Sequence, residues 1–406
     1  MTAPDNTRPA GLGMSARRTA VIGGLMVTTG PLSLSLYSPA LPSLVADLGI
    51  TDAGGKLTLT VYFAAFAFAQ LICGPVSDRY GRRATGIGFF AIYVLGSLVG
   101  ALAPTLEVLL LGRLLQGFGV SAGVALSRAM VRDRFAGAEA IRILTLVNLI
   151  LTVAPAVSPT LGSLLMLVGP WNVMFTVMAG FGLAIIAMLG FGARETLPES
   201  RRVPLNLRTI LTNYARLLRA PDFLLPALVI GCAFGGFYVF PALLPFILID
   251  TLGLSPFGFA MVMLIQTGCF MAGNMIAARL ARRISGAQLV GIGLVLIGLA
   301  GLGFAVAPRL MPDSILAVMI PVGLWMLALA AIGPSATTAA MAGFADIAGS
   351  AGAMTGFLQM GGGFAASLAA GALFASALDA LTIIPPLLAL ATILLAAAER
   401  FYARSP

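Results

Sequence analysis

The stretch Gly74-Pro75-Val76-Ser77-Asp78-Arg79-Tyr80-Gly81-Arg82-Arg83 places one acid and three arginines between two glycines. Its chemistry is ionic. The carboxylate and guanidinium groups can pair with each other or with a neighbouring helix end, and Gly74 and Gly81 allow a tight turn and close backbone approach. Such a network can lock one packed unit to another and release it on rocking; the plainer reading is an anchor at a membrane surface. A second feature is Arg113, a lone cation in an apolar run six residues after Glu107, about 9 Å further along a helix. An ionisable residue inside a span is costly and points to function, unless it snorkels to the surface. The amides Gln116, Asn148, Gln266 and Gln359 also lie in apolar runs, where an amide prefers a buried partner or a wet cavity to lipid. Tyr37, Phe237 and Tyr238 join them as lining residues, with Tyr62, Phe66, Asn274 and Trp325 as further positions. Phe234, Phe237 and Tyr238 share one helix face and can stack on an aromatic ligand or simply pack. Asp250 is either a proton-coupling group or a solvated helix end.

These residues are set in an unusually oily chain. Of 406 residues, 59% are hydrophobic, 10% are charged and none is histidine, and the mean hydropathy is +1.01. A soluble globular chain carries about 25% charged residues, so a soluble enzyme, a disordered chain and a nucleic-acid binder are excluded. Without histidine, the usual general base, zinc ligand and near-neutral proton switch are missing. Cys73, Cys232 and Cys269 lie in apolar runs with no C-x-x-C spacing, which argues against a disulfide framework or a metal site. There is no G-x-x-x-x-G-K-[ST] loop, so nothing points to nucleotide hydrolysis.

A membrane helix needs about 20 mostly apolar residues. Twelve runs qualify: 19–44, 56–76, 85–104, 106–130, 142–167, 171–192, 223–249, 256–280, 287–308, 313–338, 350–374 and 378–399. The expected organisation is a tail 1–18, a six-helix bundle 19–192, a linker 193–222 with a short amphipathic helix near Leu207–Leu218, a second six-helix bundle 223–399, and a tail 400–406. With the N-terminus inside, 21 of the 24 basic residues fall on the inner side; Lys56 and Arg309 fall outside and Arg113 within a span. The positive-inside rule then puts both termini in the cytosol. All fifteen carboxylates fall in loops or near helix ends.

The halves echo one another. Tyr37-Ser-Pro39-Ala-Leu-Pro42 near the end of the first span matches Phe240-Pro241-Ala-Leu-Leu-Pro245 near the end of the seventh, and Arg82-Arg83 matches Arg282-Arg283. Six plus six helices with a basic central loop is the layout of a two-bundle secondary transporter with its site between the halves.

The decapeptide at 74–83 resembles the helix 2–3 signature of the major facilitator superfamily, in the pattern G-x-x-x-D-R-x-G-R-R. Leu111-Gly112-Arg113-Leu-Leu-Gln116-Gly117-Phe-Gly119 is similar to its helix 4 motif. Ala154-Pro155-Ala-Val-Ser-Pro159-Thr-Leu-Gly162 is similar to its antiporter motif in helix 5. Ser127-Arg128-Ala-Met-Val-Arg132-Asp133 and Ala348-Gly349 through Gln359-Met360 resemble the Bcr/CflA branch of multidrug exporters. The resemblance implies an all-α fold of twelve helices in two pseudo-symmetric bundles. It further implies proton-driven export of small amphiphilic drugs by alternating access, with Gly74, Asp78, Arg79, Gly81, Arg82, Arg83, Arg128, Arg132, Asp133, Pro155, Pro159 and Gly162 in gating and Arg113 in coupling or cavity shape. It implies a monomeric bacterial inner-membrane protein, with the bilayer and a small-molecule substrate as partners, the proton gradient as energy source, and no cofactor, metal or nucleic acid. The branch usually carries an aspartate in helix 1, where this chain has Ser35. That departure favours a rival reading, an exporter of one neutral or anionic natural metabolite such as a siderophore. A transport-dead sensor and an uptake symporter are the other rivals.

Overall fold

The computed structural model describes residues 14–402, apart from the side chains of 138, 141 and 152–156. Among the described residues there are helices and no strands. Twelve long helical segments run in chain order: α1 (Ala16–Asp47), α2 (Asp52–Tyr80), α3 (Arg82–Ala101), α4 (Leu106–Arg134), α5 (Gly137–Val168), α6 (Val173–Gly192), α7 (Pro221–Thr251), α8 (Pro256–Leu280), α9 (Gly286–Leu310), α10 (Ile315–Ala342), α11 (Ala348–Ala372) and α12 (Ala377–Tyr402). Ten of them are long and apolar enough to cross a membrane. Large apolar side chains such as Leu98, Phe191 and Leu302 stand exposed on their outer faces, which suits lipid and not water.

Local signals place the helix ends. Thr51 accepts a hydrogen bond from Gly54 N to start α2, and Ser255 does the same for α8 with Pro256 at the first helical position. Ser285 and Gln288 form a reciprocal capping box at the start of α9. The first segment is not one straight rod. Its α-helix stops at Ser35, a 3₁₀ turn covers Ser38–Ala40, and a short helix resumes at Leu41. Pro39 and Pro42 lack the N–H groups that a continuous ladder needs. Between α6 and α7, the linker helix Leu207–Arg219 is capped by Asn206 and buries Tyr214 and Leu217.

Helices α1–α6 pack on one another, as do α7–α12, and the two sets meet along α2 with α11, α5 with α8, and the α1 turn with α7. Close packing relies on small residues. A Cβ on Gly117 would lie 2.3 Å from the Tyr62 carbonyl oxygen, and one on Gly362 would lie 1.9 Å from that of Gly231. Gly117 thus sets the α2–α4 spacing and Gly362 the α7–α11 spacing.

The seam between the halves is closed at the end opposite the decapeptide, here the far end. Ser38 Oγ donates to the Pro241 carbonyl at 3.3 Å, so the two echoed proline segments face each other. Thr60 and Ser367 hydroxyls pair at 2.9 Å, and Ser163 Oγ donates to the Pro256 carbonyl at 2.7 Å. Toward the basic end, where the decapeptide lies, α2 stays against α11, with Gln70 beside Gly356, while along α5 the face that carries Ser163 changes from buried to exposed. Positions 145, 149, 159 and 163 share one face of α5 by helical spacing. Pro159 and Ser163 on that face are buried, while Thr145 and Leu149 are exposed.

Gly362→Val should cost about 1–3 kcal/mol through overpacking, read as a lower thermal midpoint in detergent. Gly361→Ala, where a Cβ meets nothing within 4 Å, should leave the midpoint unchanged or slightly raised.

Candidate functional site

The site is best built outward from Arg113, halfway along neither end of α4 but within its far half. Its side chain is fully buried. Nε donates to the Thr58 carbonyl of α2 at 3.5 Å, and Nη1 donates to the Ser33 carbonyl of α1 at 3.4 Å and to Gln116 Oε1 at 2.9 Å. The guanidinium carbon lies 4.7 Å from the Tyr37 ring centroid and 4.5 Å from that of Tyr62. These aromatic faces are attractive surfaces for a cation. Gln116 Nε2 donates onward to Ser97 Oγ at 2.8 Å, and the Tyr93 and Ser33 hydroxyls pair at 2.7 Å. One charge therefore ties α1, α2, α3 and α4 together. It neither snorkels nor opens to the seam in this conformation. Nη2 is buried and has no hydrogen-bond partner.

The other sequence-derived positions fall into separate groups. Tyr37 is buried, its hydroxyl 3.0 Å from Thr58 Oγ1. Tyr238 of α7 receives the Gln359 Nε2 hydrogen bond at 3.2 Å and lies 5.1 Å from Phe63 of α2, making an aromatic junction across the seam. Phe237 is half-buried and stacks on Phe270 of α8. Asn148 is exposed on α5 and Gln266 half-buried on α8. Asp250 is exposed at the far end of α7. Trp325 is a packing residue, fully buried with Nε1 donating to the Ala233 carbonyl at 3.0 Å.

The decapeptide forms a network within the first half. Arg82, only 4% exposed, pairs with Asp78 at 2.5 Å and with Asp133 of α4 at 2.9 Å. Arg83 donates to the Leu189 carbonyl at 2.9 Å and to the Gly190 carbonyl, gripping the end of α6. Glu195, which follows α6, accepts from Arg82 N at 2.8 Å and Arg83 N at 3.1 Å, so it caps α3. Gly81 has φ +92°, and a Cβ there would lie 2.4 Å from the Glu195 carboxylate, so both conformation and space require glycine. Sequence reasoning expected this network to bridge the bundles; its partners are all in the first half. Arg79, Arg128 and Arg132 are exposed, and Gly74 has open space beside it. Gly162 lies against the Leu36 carbonyl of α1, and Pro159 is buried. The side chain of Pro155 lies outside the described residues.

Bridging between the halves at the basic end comes instead from the linker helix. Tyr214 donates its hydroxyl proton to the Leu71 carbonyl of α2 at 2.8 Å, and Arg216 pairs with Asp346 at 2.6 Å. The Arg216 hydrogen bond holds the Asp346 carboxyl below its ordinary range. That exposed contact is therefore present at neutral pH and is lost only when acid protonates Asp346.

Two residues escaped the sequence reading. Glu195 had no local signature. Lys56, read from the sequence as lying on the outer side, is fully buried, because Thr51 starts the helix at Asp52 and Phe246 and Gly371 of the second half pack beside it. The Thr51–Asp52 pair was the available signal.

Two packed helical halves, a seam that closes at one end and a buried polar centre define a polytopic membrane transporter. The chain belongs to the Major Facilitator Superfamily, which matches residues 24–370. It is 31% identical over 343 residues, 84% of this chain and 85% of the relative, to an uncharacterized MFS-type transporter, YdgK, of Bacillus subtilis (strain 168). It is 27% identical over 347 residues, 85% of this chain and 86% of the relative, to multidrug resistance protein D of Escherichia coli (strain K12). Among solved structures it resembles the xylose transporter XylE from E. coli in a partially occluded inward-open conformation, with TM-score 0.72, 12% identity, and coverage of 96% of this chain and 98% of that one.

Arg82→Ala should destabilise the protein by about 3 kcal/mol, because it strands Asp133 beside a closed helix junction. Arg79→Ala, at an exposed position, should cost under about 0.5 kcal/mol. Thermal unfolding in detergent compares the two.

Proposed function

We propose that the protein exports small amphiphilic drugs or metabolites across a bacterial inner membrane, in exchange for protons. In this reading the basic end and both termini face the cytosol, the division falls at 193–222, and the bundles 19–192 and 223–399 rock about the seam as a monomer. The observation that carries it is the asymmetry of the seam. Hydrogen bonds join the halves at the far end, while the α5 face carrying Thr145 and Leu149 is exposed toward the basic end. A seam open toward the cytosol is the state in which an exporter takes up cargo, and the likeness to multidrug resistance protein D supports drug-like cargo.

Each group has a task in that cycle. The Arg82 network and the Glu195 cap keep α2, α3, α4 and α6 rigid as one body. The phenol and amide at Tyr238 and Gln359 offer polar contacts beside the aromatic rings of Phe63 and Phe237, a mostly apolar lining with few polar groups. Opening the far end breaks neutral hydrogen bonds, those of Ser38, Thr60 and Ser163 and that of Ser367 to the Lys56 carbonyl. Such bonds are individually modest, about 1 kcal/mol net in water, so the binding of cargo or protons can shift the balance.

The test uses everted vesicles carrying the full chain. Export of a drug such as chloramphenicol should depend on an imposed pH gradient and stop when an ionophore collapses it; transport that continues unchanged would remove the antiport claim. Arg113→Ala should insert normally yet lose at least about tenfold in transport, since four helices lose their shared donor and the Tyr37 and Tyr62 rings lose the cation between them.

A further inference from the structure

The buried charges in this protein are all of one sign. Among the described residues, Lys56, Arg82 and Arg113 are the buried charged side chains, and no aspartate or glutamate is buried. Arg82 is neutralised by Asp78 and Asp133. Arg113 has carbonyls, an amide oxygen and aromatic faces, but no carboxylate. Lys56 has less: its Nζ is enclosed with no hydrogen-bond partner, the Phe246 ring centroid lies 5.6 Å from it, and the carboxylate of Asp52 acts on it only through space.

Lys56 also occupies a particular place. It stands on α2 at the closed far end of the seam, where both halves meet around it. Phe246 comes from α7, and α11 contributes Ser367, whose hydroxyl donates to the Lys56 carbonyl at 3.5 Å, and Gly371 beside its Cβ. Asp52, one turn earlier on α2, is half-buried, and Asp250 of α7 is exposed; neither makes an ion pair with Nζ. When the far end parts, α7 and α11 withdraw from α2 and Lys56 is left on the route between the bundles.

An ammonium taken from water needs a replacement for its lost hydration. A cationic cargo passing this point would add repulsion from Lys56 and Arg113 with no buried acid to offset it. A neutral cargo would leave the ammonium with no charged group in hydrogen-bond contact, Asp52 acting only through space. A negatively charged group supplies what is missing, through short charge-assisted hydrogen bonds. Further down the seam the rings of Phe63, Phe237 and Tyr238 pack together, an aromatic surface for the apolar body of such a cargo once the halves move.

We propose that the cargo is an organic anion, an apolar or aromatic body bearing a carboxylate or similar acid, and that Lys56 is the cation that receives its negative group at the far-end gate. This rests on the export reading above and specifies its substrate class.

The experiment compares three probes in everted vesicles with the full chain: carboxyfluorescein as anion, chloramphenicol as neutral compound, and tetraphenylphosphonium as cation. Carboxyfluorescein should be moved and tetraphenylphosphonium should not. Lys56→Gln should lower the ratio of carboxyfluorescein to chloramphenicol transport by about tenfold or more, the discrimination expected when a charged hydrogen-bond partner is removed, and Lys56→Arg should restore most of it. Should either variant fail to fold, competition in the wild-type protein reads the same preference, with excess carboxyfluorescein and not tetraphenylphosphonium slowing chloramphenicol. Transport of tetraphenylphosphonium in preference to the anion, or an unchanged ratio in Lys56→Gln, overturns the proposal. Chloramphenicol moved without carboxyfluorescein defeats the anion inference alone; none of the three moved defeats the export reading itself.

Discussion

A guanidinium buried among helices in a membrane must be satisfied by the protein, and much of the first half is arranged around that requirement at Arg113. Three hydrogen bonds reach it from α1, α2 and α4, two tyrosine rings close over it, and Gln116 extends the network to Ser97 of α3. Each contact is modest alone. Their value lies in convergence, because moving any of these helices away would leave the charge with fewer partners in a medium where unpaired polar groups are expensive. Four helices of the first bundle, α1 to α4, are therefore tied together around one cation, with helix spacing set by glycines such as Gly117.

A second junction does comparable work at the basic end. Arg82 joins the ends of α2 and α4 through Asp78 and Asp133, while Glu195 caps α3 and Arg83 holds the end of α6. With a rigid body secured at both levels, motion is confined to the seam. There the contacts are of another kind: single neutral hydrogen bonds at the far end and aromatic packing near Tyr238. The buried, charge-assisted interactions of Arg82 lie within a half, while the halves are joined by neutral hydrogen bonds, aromatic packing and the solvent-exposed Arg216–Asp346 pair. That division suits a molecule whose halves must move without deforming. Lys56 stands apart, a buried charge in the weak interface whose Nζ has no hydrogen-bond partner.

Much of this was legible along the chain. The twelve apolar runs correspond to the twelve helical segments, with ends displaced by a few residues where caps such as Thr51 extend the helix. The amphipathic linker helix appears at Leu207–Arg219. The two proline segments recognised as echoes meet through Ser38 and Pro241. Less legible was the destination of each charged group. The decapeptide announces ion pairing, but its spacing does not say whether the partners lie in the same half; Asp133 is 51 positions from Arg82 and Glu195 is 113 positions away.

Length, oiliness and the one-sided distribution of arginines determined by themselves that this is a helical membrane protein, since apolar runs of membrane length and charge at their ends are properties of the linear chain. The motif residues determined the superfamily likeness. Tertiary structure decided that Arg113 is sealed inside one bundle, that Glu195 completes the network at the basic end, that the seam is closed at one end, and that Lys56 lies buried between the halves. These depend on distances between residues far apart in sequence, and on whether a given helix face meets protein, lipid or water. Periodicity along one strand of chain does not contain that information; it exists only once the helices have packed.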